Sequence, residues 1–156
     1  MTKEQLGNLI IGSNELLYHT AKSLLYNDSD CADAIQNMIV IAFTHYKELK
    51  ADKYAKTWMI RILKNECFKI MRSEKKYISY SEDTIKDAYE RDDYTDLYNA
   101  VMKLSEELRL AVTLYYVEGF KVKEIAEIEG ISESAVKNRL LRARKNLKGF
   151  FNEEEA

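Results

Sequence analysis

A dense group of basic side chains lies near the end of the chain, and phosphate binding is the chemistry that it suits. From 131 to 148 the sequence has six lysines and arginines and one acidic residue, Glu133. Arginine forks match phosphate oxygens through paired hydrogen bonds, and a cluster of cations binds the nucleic-acid backbone. We expect Arg139, Arg142 and Arg144 to contact DNA phosphates, because most protein–DNA hydrogen bonds position the protein rather than read bases.

Two helices joined by a tight turn would position these side chains. A short apolar face precedes the turn, and Gly130 can adopt the left-handed backbone that a sharp helix exit needs. Ser132 follows where an N-cap belongs, with Glu133 in the first turn of the next helix. Apolar residues then recur at three- and four-residue steps, which predicts one buried stripe. The stripe consists of Ala135, Val136, Leu140, Ala143 and Leu147.

A helix-turn-helix combines these features. The N-terminal residues of its second helix read bases in the DNA major groove, while the flanks hold the backbone. We therefore expect Ser134, Lys137 and Asn138 to read bases. The alternative is a solvated basic face on an ordinary helix, which is common. The preceding apolar helix and the glycine turn favour DNA binding over this alternative.

The net charge of −2 conceals a strong segregation of charge along the chain. Residues 53–76 include eight basic and two acidic side chains, whereas residues 73–99 include eight acidic and four basic ones. The local distribution, rather than the total, indicates where nucleic acid binds. The sequence thus predicts a second basic surface in the first half of the chain, followed by an acidic segment.

Few residues interrupt helices, since the chain has no proline and five glycines, and no strand-like alternation persists. The sequence therefore predicts an all-α protein with two small helical domains, at 1–75 and 100–152. A flexible acidic linker at 76–99 is expected to join them, and the helix-turn-helix belongs to the second domain.

Four helical segments are expected before the helix-turn-helix. The first covers 2–26 as one or two helices, and the second runs from an N-cap at Asp30 to about residue 49. The third covers about 54–72, and the fourth covers 101–118. In the fourth, helical spacing predicts one buried stripe formed by Leu104, Leu108, Val112 and Tyr115.

The helix expected at 54–72 presents a polar and basic outer face. Trp58 on this helix is more often a core residue than a base-stacking one, although both interpretations remain open. In the helix before it, the face opposite the core contains three polar residues that are solvent-exposed by default: Asp33, Gln36 and Asn37. The outer face of 54–72 consists of Thr57, Arg61, Lys64, Asn65 and Arg72.

Catalytic and metal-binding motifs are not evident in the sequence. It contains no phosphate-binding loop, nucleophile motif or recognisable carboxylate pair, so we expect neither an enzyme nor a cofactor. Cys31 and Cys67 lack metal-ligand spacing with each other or with His19 and His45, so reduced, half-buried thiols are favoured over a zinc site. No signal peptide, membrane-spanning run or domain after Phe151 is expected, which points to the cytoplasm.

Several motifs, taken together and in order, resemble those of the extracytoplasmic-function sigma factors of bacterial RNA polymerase. In the first half these are Asp33-Ala-Ile-Gln36, Thr57-Trp58 and the run from Ile62 to Asn65. The second half also contains segments that are similar to motifs of this family, and the resemblance covers nearly the whole chain. The matching segments are Leu104–Glu107, Gly119–Phe120, Glu124–Ala126 and Val136–Arg144.

The resemblance implies a subunit that gives core RNA polymerase its promoter specificity. It implies that Asp33, Gln36 and Asn37 dock on core polymerase and that the C-terminal helix binds the minus-thirty-five element as duplex DNA. It further implies a monomer when free and an anti-sigma partner, often membrane-anchored, that responds to envelope or extracellular stress. The minus-ten element and its melted non-template strand would be bound by Lys50, Lys53, Trp58, Arg61, Lys64, Asn65 and Arg72.

Some positions depart from the family pattern, notably Lys69, Ser132, Ala135 and Asn138, and the last three affect which bases are read. The competing hypothesis is an ordinary helix-turn-helix regulator with an N-terminal dimerisation or sensing domain. Such a regulator has no reason to contain the Asp33 and Trp58 motifs, and it should form a dimer on palindromic sites.

Overall fold

The computed structural model describes the backbone of residues 1–74 and 95–155. It describes the side chains of residues 1–73 and 96–150. Regular structure in these ranges is helical, in agreement with the all-α prediction. Short 3₁₀ turns lie at Tyr46–Glu48 and Asp52–Tyr54. Most of the predicted linker, 76–94, lies outside the described residues, and 95–99 belong to a helix. The α-helices are α1 (Lys3–Gly12), α2 (Asn14–Leu24), α3 (Asp28–His45), α4 (Ala55–Glu74), α5 (Thr95–Met102), α6 (Glu106–Val112), α7 (Val122–Glu129) and α8 (Glu133–Glu155).

The N-terminal domain is built from α2, α3 and α4, which pack on one another through their apolar faces. The inner face of α2 belongs to this core, since Leu17, Ala21 and Leu24 are buried. The predicted N-cap at Asp30 is wrong. The side chain of Asn27 accepts a hydrogen bond from the Asp30 backbone N–H at 2.7 Å, so α3 begins one turn earlier.

The fourth predicted helix, at 101–118, is not continuous. Ser105 has extended backbone and separates α5 from α6, and the chain after α6 forms a π-helical turn over Thr113–Val117. A π turn has more residues than an α turn and shifts the later side chains around the helix axis. Leu104, Leu108 and Val112 are buried as predicted, but Tyr115 is 38% exposed, so its place in the stripe is wrong.

The helix-turn-helix is confirmed in detail. Gly130 ends α7 with a φ of 68°, a left-handed conformation that glycine adopts without a Cβ penalty. The Ser132 hydroxyl accepts a hydrogen bond from the Ala135 backbone N–H at 3.1 Å and caps α8. Val136, Leu140 and Ala143 are buried, as the stripe predicted.

The two halves of the chain share one apolar core. Leu110 of α6, Leu114 of the π-helical turn and Ile125 of α7 belong to the same cluster as Leu17 of α2 and Leu63 of α4. A smaller cluster joins α6 to α8 within the C-terminal half. The helix-turn-helix therefore packs directly against the N-terminal domain.

The two cysteines should react slowly with alkylating reagents in the native protein. Cys31 and Cys67 are free and buried, and burial raises the pKa of the Cys31 thiol to about 11 and that of Cys67 further. At about pH 8 a two-unit rise lowers the thiolate fraction roughly a hundredfold relative to an ordinary thiol. Iodoacetamide labelling followed by mass spectrometry should show slow native modification that accelerates as the pH rises. Rapid native labelling at the rate of the denatured chain would contradict this burial.

Candidate nucleic-acid and polymerase interfaces

The recognition helix α8 exposes most of the side chains that the sequence assigns to DNA. Ser134, Lys137, Asn138 and Arg142 are exposed around its N-terminal half. Arg144 is also exposed, and its guanidinium donates a hydrogen bond to the Tyr116 hydroxyl at 2.8 Å. Five of the six predicted residues are thus exposed on α8.

Arg139 differs from the other five because it is engaged inside the protein. Its guanidinium lies 3.1 Å from Oε1 of Glu129 and 3.6 Å from Glu107, and its side chain is only 20% exposed. Burial raises the pKa of Glu129, and Arg139 opposes that effect. The other carboxylate oxygen of Glu129, Oε2, has no hydrogen-bond partner in the described part of the chain. Arg139 therefore holds the end of α7 against α8.

Arg142→Ala and Arg139→Ala should consequently have different effects. Loss of the exposed Arg142 should lower the salt slope of promoter DNA binding by about one unit and leave folding unchanged. Loss of Arg139 leaves the buried Glu129 carboxylate without its ion-pair partner, which should cost about 3 kcal/mol of stability near neutral pH. Salt titrations of DNA affinity and urea unfolding measure the two effects.

The Arg139→Ala loss should depend on pH in a defined direction. The folded-state pKa of Glu129 is raised, so the folded state favours the protonated acid, and its stability relative to the unfolded chain falls as pH rises through that pKa. Removing Arg139 strengthens this trend. The destabilisation should therefore be smaller in mildly acidic buffer than at neutral pH, and an equal or larger loss in acid would contradict the ion-pair role.

The residues assigned to the minus-ten element divide between two grooves beside α4. Lys50, Trp58 and Arg61 line a pocket of about 300 Å³ that also includes Tyr54 and the side chain of Glu127 from α7. Further along α4 a groove of about 540 Å³ is lined by the following residues: Ile41, Ile62, Lys64, Asn65, Glu66, Phe68, Lys69 and Arg72. Lys53 is exposed beside the first pocket, with its ammonium 5.0 Å from the Tyr54 ring.

Three side chains of α4 refine the sequence prediction. Thr57, expected on the outer face, is buried, and that expectation is wrong. Trp58 packs partly against the core and also lines the small pocket, so both interpretations of it describe part of its environment. Lys64 is half-buried and donates a hydrogen bond from Nζ to the Ile128 carbonyl oxygen at 3.1 Å.

Known proteins resemble the chain over most of its length. The sigma-70 region 2 model matches residues 13–77, and the sigma-70 region 4 model matches residues 94–147. The Bacillus subtilis RNA polymerase sigma factor SigV is 30% identical over 150 residues, which cover 92% of this chain and 89% of SigV. The B. subtilis ECF sigma factor SigM is 28% identical over 129 residues, covering 77% and 78%. The chain belongs to the extracytoplasmic-function sigma factors.

Solved structures show the same fold across both domains of this sigma factor. RpoE from Bartonella quintana, in complex with the anti-sigma factor NepR, has a TM-score of 0.79 at 22% identity, covering 96% of this chain and 98% of its own. CnrH in complex with the cytosolic domain of CnrY has a TM-score of 0.74 at 21% identity, covering 97% and 90%.

The face of α3 assigned to polymerase is accessible in the sigma factor. Asp33, Gln36 and Asn37 are exposed, and Val40, one turn further along, is 66% exposed. Sequence reasoning missed Val40, although its helical spacing from Asp33 and Gln36 could have indicated it. An exposed valine beside three polar residues extends this face into a mixed surface of the kind that binds protein.

Sequence reasoning also missed Tyr54, which is 46% exposed and lines the pocket beside α4. An aromatic residue directly after Lys53 is the available signal, because basic and aromatic side chains together suit single-stranded nucleic acid. Within the described ranges there is no cluster of His, Cys, Asp and Glu that could hold a metal ion. Nor does any described helix combine the length and apolar character needed to cross a membrane.

Proposed function

We propose that the two nucleic-acid surfaces of this sigma factor bind the two promoter elements while α3 holds core RNA polymerase. As an extracytoplasmic-function sigma factor, the protein directs promoter-specific initiation by core enzyme. One observation supports the assignment of one promoter element to each domain: regions 2 and 4 occur in order on one chain, each with its own exposed basic surface. Its role in the cytoplasm is that of a regulatory subunit rather than an enzyme.

The C-terminal assignment rests on the exposed face of α8. Ser134, Lys137 and Asn138 reach base edges from the N-terminal end of the helix, and Arg142 and Arg144 hold phosphates. Arg139 acts mainly through Glu129, because its guanidinium is engaged there. The departures from the family pattern at Ser132, Ala135 and Asn138 set the base preference at the minus-thirty-five element.

The N-terminal assignment rests on the pocket beside α4. An unstacked base of the melted non-template strand enters between Tyr54, Trp58 and Leu49, while Lys50 and Arg61 neutralise the flanking phosphates. Lys53 extends this basic track. Lys64, Asn65 and Arg72 contact the adjoining strand along the second groove.

Regulation by an anti-sigma factor is the third part of the proposal. The chain shares its fold with the sigma factor RpoE, which was solved in complex with the anti-sigma factor NepR. A membrane-anchored partner of this kind would release the sigma factor as a monomer in response to an envelope or extracellular stress.

Tethered DNA cleavage in the holoenzyme tests which surface binds which element. Lys137→Cys and Lys53→Cys each give one exposed thiol, since the native Cys31 and Cys67 are buried. With an iron chelate on the new thiol, residue 137 should direct cleavage near the minus-thirty-five element and residue 53 near the minus-ten element. Cleavage by both at a single element, or a reversed pattern, would overturn the assignment.

A further inference from the structure

Arg144 of α8 is held by a neutral side chain, unlike Arg139 of the same helix. The Arg144 guanidinium donates a hydrogen bond to the hydroxyl oxygen of Tyr116 at 2.8 Å. Arg139 is paired with the Glu129 carboxylate instead, and within the described ranges Arg144 forms no such ion pair. A carboxylate partner offsets the charge of an arginine and repels phosphate, whereas a hydroxyl orients the guanidinium and leaves its charge available.

The π-helical turn after α6 brings Tyr116 to α8. Val112, the last residue of α6, lies in one buried cluster with Ala143 of α8, and Tyr116 follows Val112 by four residues. The turn is closed by the Glu118 backbone N–H, which donates to the Thr113 carbonyl oxygen at 3.1 Å. Turns of this kind are rare and occur frequently at functional sites.

Tyr116 is exposed to solvent, and two contacts orient its ring. The residue is 53% exposed, and the ring of Tyr115 meets it edge-on, with ring centres 4.9 Å apart at an angle of 85°. Because the hydroxyl oxygen accepts from Arg144, its own hydrogen remains free to donate. Donation by a charged group also polarises the hydroxyl and strengthens it as a donor. The pair therefore offers an O–H and several guanidinium N–H groups at adjacent positions.

The pair lies beyond the residues that are assigned to base edges. An α-helix rises about 1.5 Å per residue, so Arg144 is about 9 Å further along α8 than Asn138 and about 15 Å further than Ser134. The DNA major groove is about 12 Å wide. A helix that places Ser134 against bases therefore brings Arg144 to the edge of the groove, where the phosphates lie.

We propose that Tyr116 and Arg144 form a clamp for one DNA phosphate at the edge of the minus-thirty-five element. The Tyr116 hydroxyl donates to one phosphate oxygen and the Arg144 guanidinium to another, while their mutual hydrogen bond fixes the spacing of the two donors. The inference rests on the proposed function of α8 and adds a contact from outside that helix. Tyr116 has no charge, so it contributes to affinity without contributing to the salt dependence of binding.

Phosphate scanning with the holoenzyme tests the clamp on a duplex from a promoter whose transcription requires the protein. Each phosphate around the minus-thirty-five element is replaced in turn by a neutral methylphosphonate, and fluorescence anisotropy measures the affinity. Tyr116→Phe removes only the hydroxyl and should weaken binding to the unmodified duplex about fivefold. At one phosphate the methylphosphonate should weaken the wild type about fivefold more than the variant, because the variant has already lost that hydrogen bond.

Tyr18→Phe is the matched control, because Tyr18 of α2 is also exposed and its hydroxyl donates to Asp28 at 3.0 Å. That variant should bind the promoter like the wild type. Arg144→Ala should lower the salt slope by about one unit, whereas Tyr116→Phe should leave the slope unchanged. Wild-type affinity of Tyr116→Phe, or the same methylphosphonate effects as the wild type at every phosphate, would overturn the clamp.

Failure of the clamp is distinguishable from failure of the proposed function. If Arg142→Ala weakens promoter binding and Tyr116→Phe does not, the clamp alone is wrong. If Arg142→Ala, Arg144→Ala and every methylphosphonate leave the affinity unchanged, α8 does not bind the minus-thirty-five element, and the proposed function fails together with the clamp.

Discussion

Replacing Asp33 and Gln36 together with alanine should abolish binding to core RNA polymerase and leave the fold intact. Both side chains are exposed on α3, so their removal leaves no cavity and no unpaired buried group. They lie one helical turn apart beside Val40, on the face proposed for docking. A few residues near the centre of an interface supply most of its binding energy, and we expect the loss to exceed about a hundredfold. Biolayer interferometry with immobilised core enzyme measures it.

The matched control is Glu4→Ala with Asn8→Ala, an exposed acid and amide one turn apart on α1. That variant should bind core enzyme like the wild type. Circular dichroism and thermal unfolding of both variants show that the chain remains folded. Wild-type affinity of the Asp33 and Gln36 variant would move the docking surface elsewhere on the protein.

Arg109→Ala should cause the largest loss of stability among the variants considered. The Arg109 side chain is 4% exposed, and its guanidinium donates to the carbonyl oxygens of Ser23 at 2.8 Å and Leu104 at 2.7 Å. It also lies 5.8 Å from the centre of the Tyr26 ring. Truncation leaves buried carbonyl oxygens of two chain segments without their hydrogen-bond donor, and each should cost about 1–3 kcal/mol of stability. The free energy of unfolding should therefore fall by about 3–5 kcal/mol.

Urea unfolding followed by circular dichroism measures this loss, with Arg142→Ala as the control that removes an exposed arginine. Because Arg109 connects α6 to α2, its loss should also weaken the packing of the two domains and raise the radius of gyration. A change in stability below about 1 kcal/mol would show that water replaces the lost hydrogen bonds.

Local features of the sequence predicted local features of the structure well. Gly130 and Ser132 end and begin helices through their own backbone and side-chain preferences, so the helix-turn-helix followed from nearby residues. The misplaced N-cap at Asp30 shows the limit of such signals, because Asn27 and Asp30 are both good capping residues within one turn. The interruption at Ser105 was missed because the apolar spacing of Leu104 and Leu108 continues across it, although Ser105 and the acidic residues after it are typical of a helix start.

Tertiary contacts explain why the sequence misplaced two basic side chains of the candidate interfaces. The sequence placed Arg139 and Lys64 on open basic faces, whereas the structure pairs one with Glu129 and bonds the other to the Ile128 carbonyl oxygen. Lys64 and Ile128 are 64 positions apart, so helical periodicity has no information about their contact. Exposed residues such as Lys137 and Arg142 were predictable because their positions follow from the buried stripe of α8 alone.

Run-off transcription tests the central claim most directly. Core bacterial RNA polymerase is incubated with fragmented genomic DNA of the host, with and without this protein, and transcript starts are mapped by sequencing. We expect a set of starts that require the protein and share two upstream elements at a constant spacing. Absence of such transcripts, together with tight binding of a dimer to duplex DNA, would contradict sigma activity and indicate an ordinary helix-turn-helix regulator.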